Sequence, residues 1–364
     1  MERNLRMHRP RSMLAIDGAH GEGGGQLLRT AVALAAVTRR SIAIDDIRAR
    51  RPRPGLAPQH RTAIAAVAAL CSAQVGGVAP GSRSLTFVPG RLHGGSHSFD
   101  IGTAGSVTLV LHALLPVLVA CGEAAEVTLR GGTDIRAAPP LDYFTHVTLP
   151  LLARIGIDAR LVIHRRGYFP HGGGEVTLAV SRSTLRPREF PDPGALTHIG
   201  GLAHVAGIDP DIARRMRDAF LATLAAGPGS AARITPRMDV AALAPTDATG
   251  SGGAIVAWAA TEHALLGAGR VAQRGVRAET LGSEVAAELN GDLSAGVCVD
   301  VHAGDQILVY LALAGGGAFS TREVTSHAHT AMWLIEQFLP VHFECTPEGP
   351  RVRVRVRPTA AAPR

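Results

Sequence analysis

A glycine-rich segment at residues 21–25 lies between a short apolar run and an alanine- and leucine-rich run with helical periodicity. This order predicts a strand, a tight loop and a helix. Such a loop brings backbone N–H groups and the positive end of a helix dipole towards an anion. The segment lacks the lysine of a P-loop and is not GxGxxG, which disfavours both common nucleotide folds. It therefore predicts an α/β chain with a phosphate site of another kind, to which Glu22, Gln26 and Arg29 contribute side chains.

All 37 basic residues of the 364-residue chain are arginine. The absence of lysine excludes a lysine Schiff base, a lysyl-nucleotide intermediate and a P-loop lysine. The net charge of +7 favours a polyanionic partner such as RNA. No apolar run is long enough to predict a membrane span. The four cysteines are scattered without a CxxC pair, which predicts reduced core residues in a cytoplasmic protein.

The predicted elements repeat along the chain as helix, strand, helix and paired strands. This rhythm favours repeated α/β units over one doubly wound sheet. Strands at 84–88 and 96–101 are predicted to follow the second helix of the first unit, and the second unit to begin at Gly102. A proline- and arginine-rich stretch at 186–193 predicts a linker. We predict a basic extension at 1–12, a catalytic domain of repeated units at 13–187 and 298–358, and a smaller inserted α/β domain at 188–297.

The last strand, at 351–357, alternates arginine with valine, so that all its arginines share one face. We interpret it as a solvated edge strand that is protected from further pairing by charge. Contact with nucleic-acid phosphates is the alternative.

His327 is the strongest candidate nucleophile. Thr325 or Ser326 could cap a helix running to Phe338, and the positive helix end would keep the imidazole neutral. A neutral histidine can form a covalent phosphoramide, which suits a chain without lysine. His329 is the nearby competitor, and the pattern alone does not decide between the two.

Two further features could belong to the same site. Asp305 precedes a predicted buried strand and could orient the imidazole, contact a nucleotide sugar or cap a turn. Arg48, Arg51 and Arg53 form a dense arginine loop that could bind a triphosphate or an RNA end, since arginine pairs phosphate oxygens bidentately. A solvated basic loop is the alternative.

Short motifs in a fixed order resemble the RNA 3′-terminal phosphate cyclase family, in its bacterial, catalytic branch. They span nearly the whole chain outside the predicted insert. The motifs are Gly21-Glu22-Gly23-Gly24-Gly25-Gln26-Leu27-Leu28-Arg29, Arg53-Pro54-Gly55-Leu56, Gln59-His60, Ile101-Gly102-Thr103-Ala104-Gly105-Ser106, Gly131-Gly132-Thr133-Asp134, His171-Gly172-Gly173-Gly174, Ala312-Leu313-Ala314-Gly315-Gly316-Gly317, and Ser326-His327 with Phe338-Leu339-Pro340-Val341.

This resemblance implies three repeated α/β units like the C-terminal domain of translation initiation factor 3, with a smaller α/β insert. It also implies an ATP-dependent, ligase-type reaction on RNA with a 3′-terminal phosphate. In that reaction a histidine is adenylated, AMP passes to the RNA phosphate, and the 2′-hydroxyl displaces AMP to form a 2′,3′-cyclic phosphate. A divalent metal, Mg or Mn, would offset charge on the triphosphate. A homodimer is a further expectation.

By matching positions, the resemblance assigns His327 the adenylated role and Glu22 the metal. His112 falls where relatives tend to carry a glutamine that contacts the nucleotide, and His302 where an aromatic residue is frequent. The residues implied to bind the nucleotide and its phosphates are His112, His302, Ala303, Gly304, Asp305, Gln306, Gln26, Arg29, Arg48, Arg51 and Gln59.

Three other functions compete with this one. Non-enzymatic relatives of the family act in ribosome assembly and lack the nucleophilic histidine, so the presence of His327 favours an enzyme. Enolpyruvyl transferases also use repeated α/β units, but they depend on lysine. A plain RNA-binding module is supported by net charge alone.

Overall fold

The computed structural model describes residues 13–227 and 234–359. The basic extension predicted at 1–12 lies outside the described residues. The described chain combines helices with several mixed sheets, which confirms the predicted α/β class. Within these two ranges, no helix combines the length and the apolar character needed to cross a bilayer.

The first sheet forms from the N-terminal elements. In chain order these are β1 (Leu14–Asp17), α1 (Gly25–Thr38), β2 (Ile42–Asp45), α2 (Pro58–Cys71), β3 (Gln74–Gly76) and β4 (Leu85–Val88). The strands lie in the order β1-β2-β4-β3. β1 and β2 are parallel because α1 crosses between them, whereas β4 runs antiparallel to both of its neighbours.

The second sheet repeats this arrangement. Its elements are β5 (Gly95–Asp100), α3 (Val107–Cys121), β6 (Ala125–Gly131), α4 (Leu141–Tyr143), a π-helical turn (Phe144–Thr148), α5 (Leu149–Ala153), β7 (Ala159–Gly167) and β8 (Gly174–Val180). The strand order is β5-β6-β8-β7, with β12 (Ala248–Thr249) beyond β7. The assignment of the 96–101 strand to the first unit was therefore wrong. This strand is β5, and it pairs in parallel with β6 through the α3 crossover.

A different sheet forms between residues 196 and 271. Its strands are β10 (Leu196–Ala206), β11 (Arg237–Leu243), β13 (Gly252–Thr261) and β14 (Leu265–Val271), in the order β11-β10-β13-β14. Two helices, α6 (Asp211–Ala225) and α7 (Ala278–Ala295), pack on it and on each other. These elements enclose a separate cluster of buried apolar side chains.

The last sheet joins a short early strand to the C-terminal elements. These are β9 (Arg188–Glu189), α8 (Val301–Leu313), β15 (Gly317–Thr321), α9 (Ser326–Phe338), β16 (Val341–Glu348) and β17 (Arg351–Pro358). The order β9-β15-β17-β16 and the strand directions match those of the first two sheets. Three sheets thus share one topology, and the third is interrupted after its first strand.

Two predictions for this region were wrong. The apolar run after Asp305 is part of helix α8, because Asp300 caps that helix by accepting hydrogen bonds from the N–H groups of His302 and Ala303. β17 is an interior strand, paired with β15 on one side and β16 on the other. Three of its four arginines, Arg351, Arg353 and Arg357, pair with neighbouring carboxylates, as Arg351 does with Asp192 at 2.8 Å.

Helices from the three repeated units share one apolar core. α1 packs against α2, α3 and α9, and α3 also contacts α8. Cys71 and Cys298 are buried in the protein, whereas Cys345 is exposed and is not the core residue we expected. This packing brings the N-terminal ends of α1, α8 and α9 to one cavity.

Candidate active site

A cavity of about 630 Å³ opens where the three repeated units and β14 meet. Its size lies in the usual range for small-molecule sites. The predicted site residues that line it are Glu22, Gln26, Arg29, Arg48, Arg51, Gln59, His112, His302, Asp305, Gln306 and His327. Residues that are widely separated in sequence therefore line one cavity.

Ala303 and Gly304 do not line the cavity. Ala303 is fully buried, and a Cβ added to Gly304 would lie 3.5 Å from Phe319. Gly304 packs α8 against β15, and Ala303 belongs to the main apolar core. Their small size supports the helix that carries His302, Asp305 and Gln306 to the cavity.

The glycine loop is held against α9. Gly21 has a φ of 57°, and a Cβ there would lie 2.3 Å from Oγ1 of Thr330. The same Thr330 hydroxyl accepts a hydrogen bond from the backbone N–H of Glu22 at 3.3 Å. Glycine is thus required at position 21 both by the left-handed backbone and by the close approach of α9. This contact joins the loop to the helix that bears His327.

His327 lies in the first turn of α9, where the Thr325 hydroxyl caps the helix by accepting the N–H of Ala328 at 3.0 Å. Nδ1 of His327 contacts one carboxylate oxygen of Glu22, and the Arg51 guanidinium contacts the other. With a proton on Nδ1, the nitrogen left with a free lone pair is Nε2. His329 is exposed and does not line the cavity.

Two opposing influences act on the His327 imidazole. Burial lowers its pKa below the ordinary value, although the Glu22 carboxylate opposes this and Arg51 and Arg29 add to it. A lowered pKa favours the neutral ring, which is the nucleophilic form.

The arginine loop contributes two of its three candidates. Arg48 and Arg51 line the cavity, whereas Arg53 is exposed and does not. Arg48 donates a hydrogen bond to the Gly55 carbonyl at 2.9 Å, which closes the loop. Arg29 pairs with no carboxylate of the described residues, and burial lowers its pKa to about 10. It is still a cation at neutral pH, so this end of the cavity is suited to an anion.

His112, His302 and Asp305 also line the cavity. Nε2 of His112 is buried without a hydrogen-bond partner in the described chain, and burial lowers the pKa of this histidine to about 3. A neutral ring with an unsatisfied nitrogen fits a ligand that supplies the missing hydrogen bond. Burial raises the pKa of Asp305 to about 7.

Several cavity residues were not assigned a role from the sequence. His60 belonged to a quoted motif, and its Nδ1 accepts the N–H of Ala57 at 3.2 Å at the start of α2. Burial lowers the pKa of His60 to about 3. Tyr143, Arg270 and Gln273 also line the cavity. No sequence signal identified them, because their elements reach the cavity only through the tertiary packing of β14 and α4.

Glu22 could bind a divalent metal that substrate phosphates also bind. Mg²⁺ usually binds one or two carboxylates together with substrate phosphates. Because Arg51 and His327 contact both oxygens of Glu22, a metal would have to share this carboxylate with them or displace one of them. The residues therefore fit a metal that arrives with a triphosphate.

A second group of possible metal ligands is already neutralised. Asp134, Asp142 and His204 are buried with their ligand atoms within 4.8 Å of one another. The Arg166 guanidinium pairs with Asp134 at 3.2 Å and with Asp142 at 2.7 Å. This group is a buried ion network that already contains a cation.

Comparisons with known proteins agree on one family. Residues 20–345 match the family described as RNA 3′-terminal phosphate cyclase. A protein of that name from Nitrosospira multiformis is 49% identical over 95% of this chain and 97% of its own length. The Pyrococcus furiosus protein of that name is 41% identical over 91% and 95%, respectively.

Among solved structures, the enolpyruvyl transferase NikO from Streptomyces tendae gives a TM-score of 0.35 at 12% identity. The match covers 95% of this chain and 48% of that one. A likeness this low supports no conclusion about fold or function.

Proposed function

The chain belongs to the RNA 3′-terminal phosphate cyclase family, and on that premise we propose that it converts an RNA 3′-terminal phosphate to a 2′,3′-cyclic phosphate with ATP. The two relatives, which both carry the name RNA 3′-terminal phosphate cyclase, support this overall reaction. The alternative is a non-enzymatic, cyclase-like RNA-binding protein of ribosome assembly.

The proposed chemistry has three displacements at phosphorus. Nε2 of His327 attacks the α-phosphorus of ATP, and pyrophosphate leaves. An oxygen of the RNA 3′-phosphate then attacks the same phosphorus, which frees the histidine and gives RNA-adenylate. Finally the neighbouring 2′-hydroxyl loses its proton and attacks the 3′-phosphorus, so that AMP leaves and the cyclic phosphate closes. Adenylation is needed because a phosphate monoester has no good leaving group.

The observation that carries this proposal is the contact between Glu22 and Nδ1 of His327. With the proton on Nδ1, this contact leaves the lone pair of Nε2 free, in a cavity that Arg29, Arg48 and Arg51 also line. These arginines suit the triphosphate, since guanidinium groups pair phosphate oxygens. Glu22 and the phosphates would hold the metal, which would neutralise charge on the leaving pyrophosphate. In this proposal Gln26 and Gln59 bind the phosphates, whereas Asp305 and Gln306 bind the nucleoside.

The test is transfer of label from α-labelled ATP to the protein. The wild-type protein should retain label in an acid-labile form, as a phosphoramide does, and His327→Ala should retain none. His329→Ala is the matched control, because this residue lies in the same helical turn but outside the cavity. Stable labelling of His327→Ala would refute the assignment, and an unlabelled wild-type protein that still binds RNA would favour the non-enzymatic alternative.

Other expectations stay predictions. They are the likeness of the repeated units to translation initiation factor 3, the domain boundaries at 187/188 and 297/298, a homodimer, and a cytoplasmic location.

A further inference from the structure

One wall of the cavity is shared between two parts of the chain. β14 contributes Arg270, the loop after β14 contributes Gln273, and α8 contributes His302 and Asp305. The carboxylate of Asp300, at the start of α8, holds α8 and β14 in a fixed relative position. This group accepts the N–H of Gly267 in β14 at 3.0 Å and the hydroxyl of Tyr143 at 2.6 Å. The first turn of α8 is therefore anchored to β14.

Glu288 of α7 makes a second connection across this wall. One of its carboxylate oxygens contacts Nε2 of His302, and the other lies 2.9 Å from an Arg270 guanidinium nitrogen. The Glu288 side chain is only 11% exposed, whereas Arg270 is 32% and His302 is 48% exposed. Arg270 and His302, which both line the cavity, thus share the carboxylate of Glu288, which lies behind the cavity lining.

The charge of His302 follows from this contact. The hydrogen bond with Glu288 is the largest influence on its pKa, which rises to about 9. The charged groups that face His302 are Glu288 from α7, Arg270 from β14, and Asp300 and Asp305 from the start of α8; Tyr143 contacts its ring edge-on. The imidazolium has N–H donors on both nitrogens. In the described chain Nε2 has Glu288 as its partner, and Nδ1 has none.

We propose that Glu288 is a positioning residue that makes His302 a charged hydrogen-bond donor in the nucleotide wall. The Nδ1–H of His302 then donates to an acceptor atom of the bound nucleotide, and α7 sets nucleotide affinity without touching the ligand. This inference rests on the proposed use of an adenine nucleotide. It explains why a position where an aromatic residue is frequent can be histidine here: the interaction is a charge-assisted hydrogen bond, which is stronger than a neutral one.

Glu288→Gln tests the proposal, because it preserves shape and removes the charge. Glu284→Gln is the matched control. Glu284 lies one turn earlier in α7 and bonds the same Arg270 at 3.0 Å, but it is 49% exposed and has no contact with His302. The probes are histidine NMR titration and equilibrium binding of AMP, which needs no RNA and involves no bond change.

We expect the NMR midpoint of His302 to fall by about two pH units in Glu288→Gln and to be unchanged in Glu284→Gln. At pH 8, Glu288→Gln should bind AMP about tenfold more weakly than the wild-type protein, which is the loss of one charge-assisted hydrogen bond. At pH 5.5 the difference should shrink, because His302 is protonated again. Protonation of AMP itself changes its affinity for both proteins equally, so it cancels in the ratio of the two dissociation constants at each pH.

Two results would overturn the proposal. One is an unchanged His302 midpoint in Glu288→Gln, and the other is equal loss of AMP affinity in Glu284→Gln and Glu288→Gln. A merely structural role for Glu288 would weaken binding equally at both pH values. Unchanged thermal unfolding of both variants excludes misfolding. Since neither readout requires RNA cyclisation, failure of the proposed function and failure of this inference are distinguishable.

Discussion

At the residue scale, two carboxylates each contact one arginine and one histidine that line the cavity. Glu22 contacts Arg51 and His327, and Glu288 contacts Arg270 and His302. Glu22 could be predicted from the sequence because it lies in the glycine motif. Glu288 could not, since α7 is an ordinary amphipathic helix in the sequence. Its importance depends on which residues the tertiary fold brings near it.

Asp305 should make folding stability depend on pH. Its folded-state pKa of about 7 lies above the ordinary value near 3.9, because burial disfavours the charged form. Protonation therefore favours the folded state. The stabilisation that protonated Asp305 gives to the folded state is fully present below about pH 4 and is lost as the pH rises through about 7.

We therefore expect Asp305→Asn to gain stability relative to the wild-type protein as the pH rises. The difference in the free energy of unfolding should change by about 2 kcal/mol between pH 5 and pH 8. Urea denaturation of both proteins at the two pH values measures it. A constant difference would mean that Asp305 is ionised throughout.

At the element scale, the prediction was most accurate where local sequence decides the structure. The helix predicted from Ser326 to Phe338 is α9, with the Thr325 cap in place. The prediction was wrong where contacts with other parts of the chain, and not the local pattern, determine the structure. The alternation in β17 describes its two faces but does not reveal that both edges are paired. In α8, a short apolar run was compatible with either strand or helix, and the Asp300 cap decided between them.

The cap of α9 provides a test at this scale. Thr325→Ala removes the hydroxyl that accepts the N–H of Ala328, which should lower the free energy of unfolding by about 1 kcal/mol. It should also slow self-adenylation, because His327 lies in the turn that frays. Thr325→Ser keeps the hydroxyl and should retain both properties. Calorimetry and label incorporation measure the two effects, and equal behaviour of both variants would contradict the capping role.

At the scale of the whole molecule, buried charges join the second sheet to the sheet formed by β10, β11, β13 and β14. Arg166 of β7 pairs with Asp134 and Asp142, and Asp142 also faces His204 of β10 at 3.3 Å. Asp134 belongs to a motif that the proposed chemistry does not use. The conformation of that motif is set by this junction, which no local pattern could predict.

Removing Arg166 should destabilise the protein strongly. Its guanidinium is only 9% exposed, so Arg166→Leu leaves two buried carboxylates uncompensated and should cost about 3–5 kcal/mol. Arg130→Leu is the control on the same sheet. Arg130 also pairs with a carboxylate, that of Glu175, but it is 57% exposed, and its loss should cost less than about 1 kcal/mol. Urea denaturation compares the two, and similar midpoints would contradict a stabilising network.

The interruption of the third sheet after β9 has a consequence for synthesis of the chain. β9 finds its partner β15 only after the whole 190–297 segment has been made. The glycine loop is synthesised before α9, and Thr330, against which it packs, follows Glu22 by 308 residues. At ribosomal rates this is a delay on the order of 15 to 60 s. The cavity thus completes only after α9 has been made, so any nascent chain that stops before α9 carries Arg29, Arg48 and Arg51 without His327.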